Sequence, residues 1–382
     1  MDRRIFLKGL GAMGCSAAAH PVLTTLTLAA APGENRLVVI ILRGAMDGLD
    51  VVQPRGDRDL AAARPGVLAK AADLDGFFAL HEGLSGLMPL WQAGELAFVH
   101  ATSTPYRDKR SHFDGQDLLE AGTGTDLAPA AQRDGWLNRL LTVLPGATSE
   151  TAWAVGREAM PILAGPAPVE NWAPDQELAV SAPARALLEQ VYAEDALFHQ
   201  ASATAFGLAG MEAEGEGQDT DMIADFVAER LRGPARIAAF SLTGWDTHKG
   251  QERAIRKPLD RLQRAVLRLK DGAGPEVWGK TVVLAMTEFG RTVRQNGSGG
   301  TDHGTGGAML VAGGAVRGGK VLGRWPGLAE ADLYDRRDLM PTSDVRDWAA
   351  QAMAGLFGLD RSVLEGTVFP GLAMTTGDKL IR

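Results

Sequence analysis

A chain of 382 residues, 45% hydrophobic and 6% aromatic with a formal net charge of −8, has room for one large α/β domain or two smaller ones. Its acidic balance and its lack of a basic stripe disfavour a nucleic-acid partner. Cys15 is the single cysteine, so no disulfide can form within the chain.

The first element is an export signal. Arg3 and Arg4 are adjacent, Ile5-Phe6-Leu7-Lys8 follows, and no charged residue occurs from Gly9 to Gly33. Small residues at Ala29, Ala30 and Ala31 offer a peptidase its site. The pattern predicts that residues 1–31 are a twin-arginine signal peptide, with the twin-arginine translocase as a transient partner. Cleavage is expected after Ala29 or Ala30, because a cut after Ala31 would leave Pro32 first. Two other readings exist. A membrane anchor needs ~20 mainly apolar residues, and His20 and Pro21 dilute this stretch. A lipoprotein site at Gly14-Cys15 would follow too short an apolar run. Removal of Arg3, Arg4, Lys8 and Asp2 takes the net charge from −8 to −10. The expected mature protein, residues 32–382, is periplasmic or secreted, with no stable membrane anchor.

Beyond the signal, buried-strand runs alternate with helical stripes. Leu37-Val38-Val39-Ile40-Ile41-Leu42 reads as a strand covered on both faces. Leu84, Leu87, Met88 and Trp91 repeat at helical spacing until Gly94, and Leu96–Val99 is the next strand. The Gly- and Glu-rich patch at 210–217 reads as a surface loop. Residues 236–241 form a strand. Leu259, Leu262, Val266 and Leu269 form a helical stripe ended by Gly272 and Gly274. Strands follow at 281–286 and 308–312, and a last helix runs from an N-cap at Thr342 or Ser343 to Gly358. This alternation predicts an α/β fold with a mostly parallel central sheet covered on both faces, with ligands beyond the carboxyl ends of the strands.

Polar groups collect at those ends. Arg43, Asp47 and Asp50 follow the first strand. His100, then Ser103-Thr-Pro-Tyr-Arg107, then Arg110-Ser111-His112-Phe113-Asp114 follow the second. Asp246 and His248 come after 236–241, Glu288 and Arg291 after 281–286, and Asp302 and His303 precede 308–312. Asp and His suit Zn²⁺, Mg²⁺, Mn²⁺ or Ca²⁺, which would activate a hydroxyl or water and stabilise an oxyanion. Asp47, Asp246, His248, Glu288 and His303 are therefore candidate metal ligands. Ser111 is the candidate nucleophile, and Arg43, Arg110 and Arg291 are candidate anion binders. Each has a plainer role open to it. Asp47 suits an Asx turn, Ser111 an N-cap, Asp246 and His248 a turn pair, and Glu288 with Arg291 an ion pair at a strand end. His112 and Asp114 either orient Ser111 or face solvent.

The same segments carry a family likeness. Residues 42–50, 105–114, 134–138, 245–248, 287–292 and 300–309 resemble the exported bacterial family called domain of unknown function 1501, over nearly the whole mature chain. That family is grouped with alkaline phosphatases and sulfatases, and the resemblance implies an alkaline-phosphatase-like three-layer sandwich with no assigned reaction. It implies a metal role for Asp47, Asp246, His248 and His303 and a nucleophile role for Ser111. The chain departs from the pattern in two places. One residue separates Asp246 from His248 where three are expected, and Glu288-Phe289 stands where Asp-His is expected, leaving a second metal short of a ligand. Ser103–Arg107 also fits the sulfatase pattern Ser-x-Pro-x-Arg. The expected function is a metal-dependent hydrolase of small anionic phosphate or sulfate esters. The alternative is a non-catalytic binding protein on the same fold. A Ser-His-Asp esterase is weaker, since no Gly-x-Ser-x-Gly is present in the mature chain.

Overall fold

In the computed structural model, residues 33–65, 70–107, 110–125, 133–174, 216–375 and 380–382 are described. The signal-peptide reading lies outside them. The strands in chain order are β1 (Arg36–Leu42), β2 (Val52–Gln53), β3 (Ala71–Asp73), β4 (Ala79–His81), β5 (Leu96–Ser103), β6 (Ala152–Val155), β7 (Glu170–Trp172), β8 (Ile237–Leu242), β9 (Thr281–Met286), β10 (Gly307–Ala312), β11 (Lys320–Leu322) and β12 (Ser343–Asp344). The longer helices are α1 (His112–Ala121), α2 (Trp136–Val143), α3 (Glu216–Leu231), α4 (Arg256–Trp278) and α5 (Val345–Phe357).

The main sheet has the order β11-β5-β10-β9-β1-β8-β6-β7, with β12 beside β5. β1 lies between β8 and β9 and is parallel to both. It is buried along its whole length, as its unbroken apolar run requires. Its side chains alternate between two cores. Val38, Ile40 and Leu42 pack with Phe226 and Val227 of α3 and Leu259, Leu262 and Val266 of α4. Leu37, Val39 and Ile41 pack with Leu137 and Leu140 of α2 and Trp348 and Met353 of α5. Helices thus cover both faces, giving the expected three-layer α/β architecture with a mostly parallel sheet. A small antiparallel sheet, β2-β4-β3, stands apart.

One strand departs from the expected pattern. β10 runs antiparallel to both neighbours, β5 and β9. Its leading loop therefore reaches the edge where β1, β5, β8 and β9 end, which is how residues before a strand join residues that follow other strands. Two boundaries also differ. The last helix is capped by Asp344, whose carboxylate accepts from Arg346 N at 2.9 Å, while Ser343 pairs with Thr102 and takes the Trp348 indole N–H. Gly274 (φ 75°, ψ 166°) kinks α4 rather than ending it, and the helix resumes at Pro275. The patch at 210–217 falls outside the described residues up to 215, and Glu216 and Gly217 belong to α3. No described helix is long and apolar enough to cross a membrane.

His100 on β5 is a core residue. Its Nε2 contacts the carbonyls of Gly48 (3.2 Å) and Val52 (2.9 Å), and its ring stacks on Phe78. Burial pushes its pKa down to about 4 from 6.5. The unfolded chain binds a proton there that the folded chain refuses, so stability falls as pH drops from 6.5 towards 4. The full effect is on the order of 3 kcal/mol. His100→Gln should flatten this slope. Urea midpoints compared at neutral pH and near pH 5 check it, and an unchanged slope would reject the assignment.

Candidate metal centre

Three loops and a helix start meet where the parallel strands end. After β8 the chain turns through Gly244, and buried Trp245 anchors the turn in the core beside Asp246. The loop after β1 lies directly on this turn. Gly44 has φ +114°, and a Cβ there would sit 2.6 Å from the Asp246 amide nitrogen, so glycine permits the approach. α1 delivers His112 as its first residue, and the loop before β10 delivers His303.

Asp246 is the hub. Its Oδ1 lies 3.0 Å from His248 Nε2, 3.3 Å from His303 Nε2, 3.4 Å from His112 Nε2 and 2.7 Å from Arg291 Nη1. His248 Nε2 and His303 Nε2 are 3.0 Å apart. His112, Asp246 and His303 can each offer a donor atom within 4.8 Å of the other two.

Behind each imidazole stands an acceptor. His112 Nδ1 bonds Glu288 Oε1 (2.7 Å), His248 Nδ1 bonds Asp302 Oδ1 (3.1 Å), and His303 Nδ1 bonds the Arg110 carbonyl (2.7 Å). An acceptor at Nδ1 places the proton there, leaving Nε2 of a neutral ring as a bare lone pair. Bare lone pairs facing a carboxylate, and one another at 3.0 Å, repel unless a cation stands among them. His112 Nε2 is moreover buried without a hydrogen-bond partner. Two donors sharing one Zn²⁺ in a tetrahedron would be about 3.3 Å apart, close to the separations seen. The residues present fit a divalent cation.

The charge states of Asp246 and His303 agree with this arrangement, while that of His112 favours a protonated ring whose proton a cation must displace. Burial works against the Asp246 carboxylate, but the Arg291 bond and charge outweigh it and hold its pKa below the usual value. Burial lowers His303, helped by the charges of His112 and Arg291, which favours the neutral ligand form. Burial also opposes a charged His112, but Glu288 and then Asp246 overcome it and raise its pKa.

Of the five predicted ligands, the structure brings Asp246, His248 and His303 together. Asp47 is instead committed to a buried pair with Arg64 (2.7 and 3.2 Å), and it also accepts from Gln251 and from Leu49 N as the cap of a short helix. Glu288 orients His112 rather than joining the cluster. Its Oε1 also accepts from Gly44 N, Ala45 N and Gln116, and its Oε2 from Thr287. Burial raises its pKa, but the His112 and Gln116 bonds more than offset this. Two of the three predicted anion binders are not free. Arg43 holds Gln116 and Glu120, while Arg291 is buried on Asp246 and on the Thr301 hydroxyl and carbonyl. Ser111 caps α1, its hydroxyl accepting from Asp114 N at 3.4 Å, and it makes no bond to the cluster. Ser103 is buried on β5.

His112 is the member that the sequence reading left out. Its position in a strand-end segment was visible, but its direction was not. Phe289, where a ligand was expected, stacks on the His112 ring at 5.2 Å and 20°.

The chain is similar, at low identity, to several solved structures. A protein in the alkaline phosphatase superfamily from Vibrio parahaemolyticus is 13% identical, with TM-score 0.39, over 85% of this chain and 67% of that one. The periplasmic domain of phosphoethanolamine transferase EptC from Campylobacter jejuni is 9% identical, with TM-score 0.41, over 90% and 96%. A variant of TAB5 alkaline phosphatase with Mg bound is 9% identical, with TM-score 0.38, over 74% and 91%. No curated protein matches the sequence. A family model matches residues 34–368, and the chain therefore belongs to the family described as "Protein of unknown function (DUF1501)".

Proposed function

We propose that the protein is an exported, metal-dependent hydrolase of phosphate or sulfate esters, with one divalent cation held by Asp246, His303 and His112 and joined by His248. The supporting observation is the convergence of three imidazole Nε2 atoms, each backed by an acceptor at Nδ1, on one carboxylate. A donor set richer in imidazole than in carboxylate favours Zn²⁺ over Mg²⁺ or Ca²⁺. The Asp246 and His248 side chains are 43% and 40% exposed, so one side of the cluster faces solvent, as a catalytic site needs. A bound ion of this kind polarises an ester oxygen and lowers the pKa of water.

The chain's own residues do the remainder. Glu288, Asp302 and the Arg110 carbonyl fix the three ring orientations. Arg291 keeps Asp246 ionised. Ser111, one residue before His112, is the candidate nucleophile, and export rests on Arg3-Arg4. Protein folded in the cytoplasm should carry close to one zinc per chain by elemental analysis. It should turn over an aryl phosphate or aryl sulfate, and Ser111→Ala and Asp246→Asn should abolish that turnover. Metal without turnover of either ester supports the binding-protein alternative, in which Phe289 marks a lost second site. Less than about a tenth of a metal per chain rejects the centre.

A further inference from the structure

Two arginines are tied to His303, Arg337 through its guanidinium and Arg110 through its main-chain carbonyl. Arg337 Nη1 donates to the His303 carbonyl at 3.0 Å, and the Arg110 carbonyl accepts from His303 Nδ1 at 2.7 Å. Both side chains are gathered by one buried carboxylate. Asp338, 0% exposed, accepts from Arg110 Nε (3.2 Å) and Nη2 (3.1 Å), from Arg337 Nη1 (2.9 Å) and from the Thr305 hydroxyl (2.8 Å). Asp335 touches Arg110 Nη2 at 3.7 Å, but its side chain is 66% exposed and water screens it. Arg110 Nη1, and Nε and Nη2 of Arg337, have no acceptor among the described residues. Two cations thus share one buried anion beside the candidate metal ligands, with planar N–H donors to spare.

The backbone here is strained in a way that surface loops seldom keep. Arg110 (φ 50°), Asp335 (φ 49°) and Arg336 (φ 53°) are three of the five described non-glycine residues with positive φ. Such conformations persist where surrounding contacts enforce them, and they gather at ligand clamps.

We propose that Arg110 and Arg337, drawn together on Asp338 and tied to His303, form the clamp that binds the free oxygens of a tetrahedral oxyanion, phosphate or sulfate, at the metal centre. This rests on the hydrolase reading and takes over the role that Arg43 and Arg291 cannot fill. Guanidinium donors match such oxyanions with paired, parallel hydrogen bonds, which an ammonium cannot reproduce.

The test titrates inorganic phosphate and, separately, inorganic sulfate into the full chain, with and without added zinc, by calorimetry at low salt. The two arms identify which oxyanion the clamp prefers. Arg110→Gln and Arg337→Gln should each weaken the preferred anion at least ~10-fold, while zinc affinity moves less than about threefold. Arg110→Lys and Arg337→Lys keep the charge on Asp338 and should recover only part of the loss. Unchanged anion affinity in both Gln variants overturns the clamp, as does a wild-type chain that binds neither anion. If a Gln variant misfolds by circular dichroism, the Lys variants decide, and wild-type anion affinity in both overturns the proposal. Arginine-dependent anion binding in a chain that takes no zinc would sustain the clamp and sink the hydrolase. Zinc binding with arginine-independent anion affinity would do the reverse.

Discussion

Asp246→Asn should abolish divalent-metal binding, weakening zinc affinity at least ~100-fold. Among the described residues Asp246 is the only carboxylate touching the three imidazole Nε2 atoms, so its charge is the one anion there in direct contact with the proposed ion. Arg291 Nη1 lies 2.7 Å from the same oxygen and is itself buried. With an amide in place, the guanidinium charge loses its counter-charge and repels an incoming cation. An amide also has two ways to sit. Its NH₂ faces Arg291, donor against donor, or its oxygen stays on Arg291 with the charge gone. Calorimetric zinc titration measures the loss, and the rise in melting temperature on adding zinc should disappear with it. Wild-type zinc affinity in this variant would remove the centre altogether.

Glu288→Ala should be the most destabilising change near the site, at about 3–5 kcal/mol. The carboxylate is fully buried and accepts from His112, Gly44 N, Ala45 N, Gln116 and Thr287. Its removal orphans two backbone amides and leaves His112 without the partner that sets its tautomer. Glu288→Gln separates the two roles considered for this residue. An orienting carboxylate behind a ligand is worth roughly 10–100-fold in metal affinity, whereas a direct ligand would cost all of it. Urea unfolding gives the stability change and zinc titration gives the other. A Gln variant that binds no zinc would return Glu288 to the ligand set.

The fold was legible because its central strands are uninterrupted apolar runs. Leu37–Leu42 and Thr281–Met286 read as doubly covered strands and are buried at every position. The stripe Leu259, Leu262, Val266, Leu269 faces one core as its period requires. The short strand β6 and the edge strands β7 and β11 carry no such signal, and the reversal of β10 has no local signature at all. The site was half legible for the same reason. Strand-end position singled out Asp246, His248 and His303, but not who pairs with whom. Arg64 answers Asp47 across 17 positions and Gln251 across 204, and these partners decide that Asp47 is structural. His112 was misjudged because its direction depends on Glu288, 176 residues away. The family resemblance was sound, and the family model covers residues 34–368. Its ligand pattern did not transfer evenly, since Asp47 and Glu288 found other partners first.

The single reversed strand has a lasting effect on how this centre can vary. Residues 287–306 leave β9 and return to its neighbour β10 on one rim. That one arm carries Glu288, Arg291, Asp302 and His303. It can be lengthened, shortened or exchanged as a cassette without re-routing a helix over the sheet, a freedom that the parallel crossovers elsewhere in the sheet lack. Divergence in reactivity among chains of this architecture should therefore concentrate in that one excursion, while the strands beneath it stay as they are.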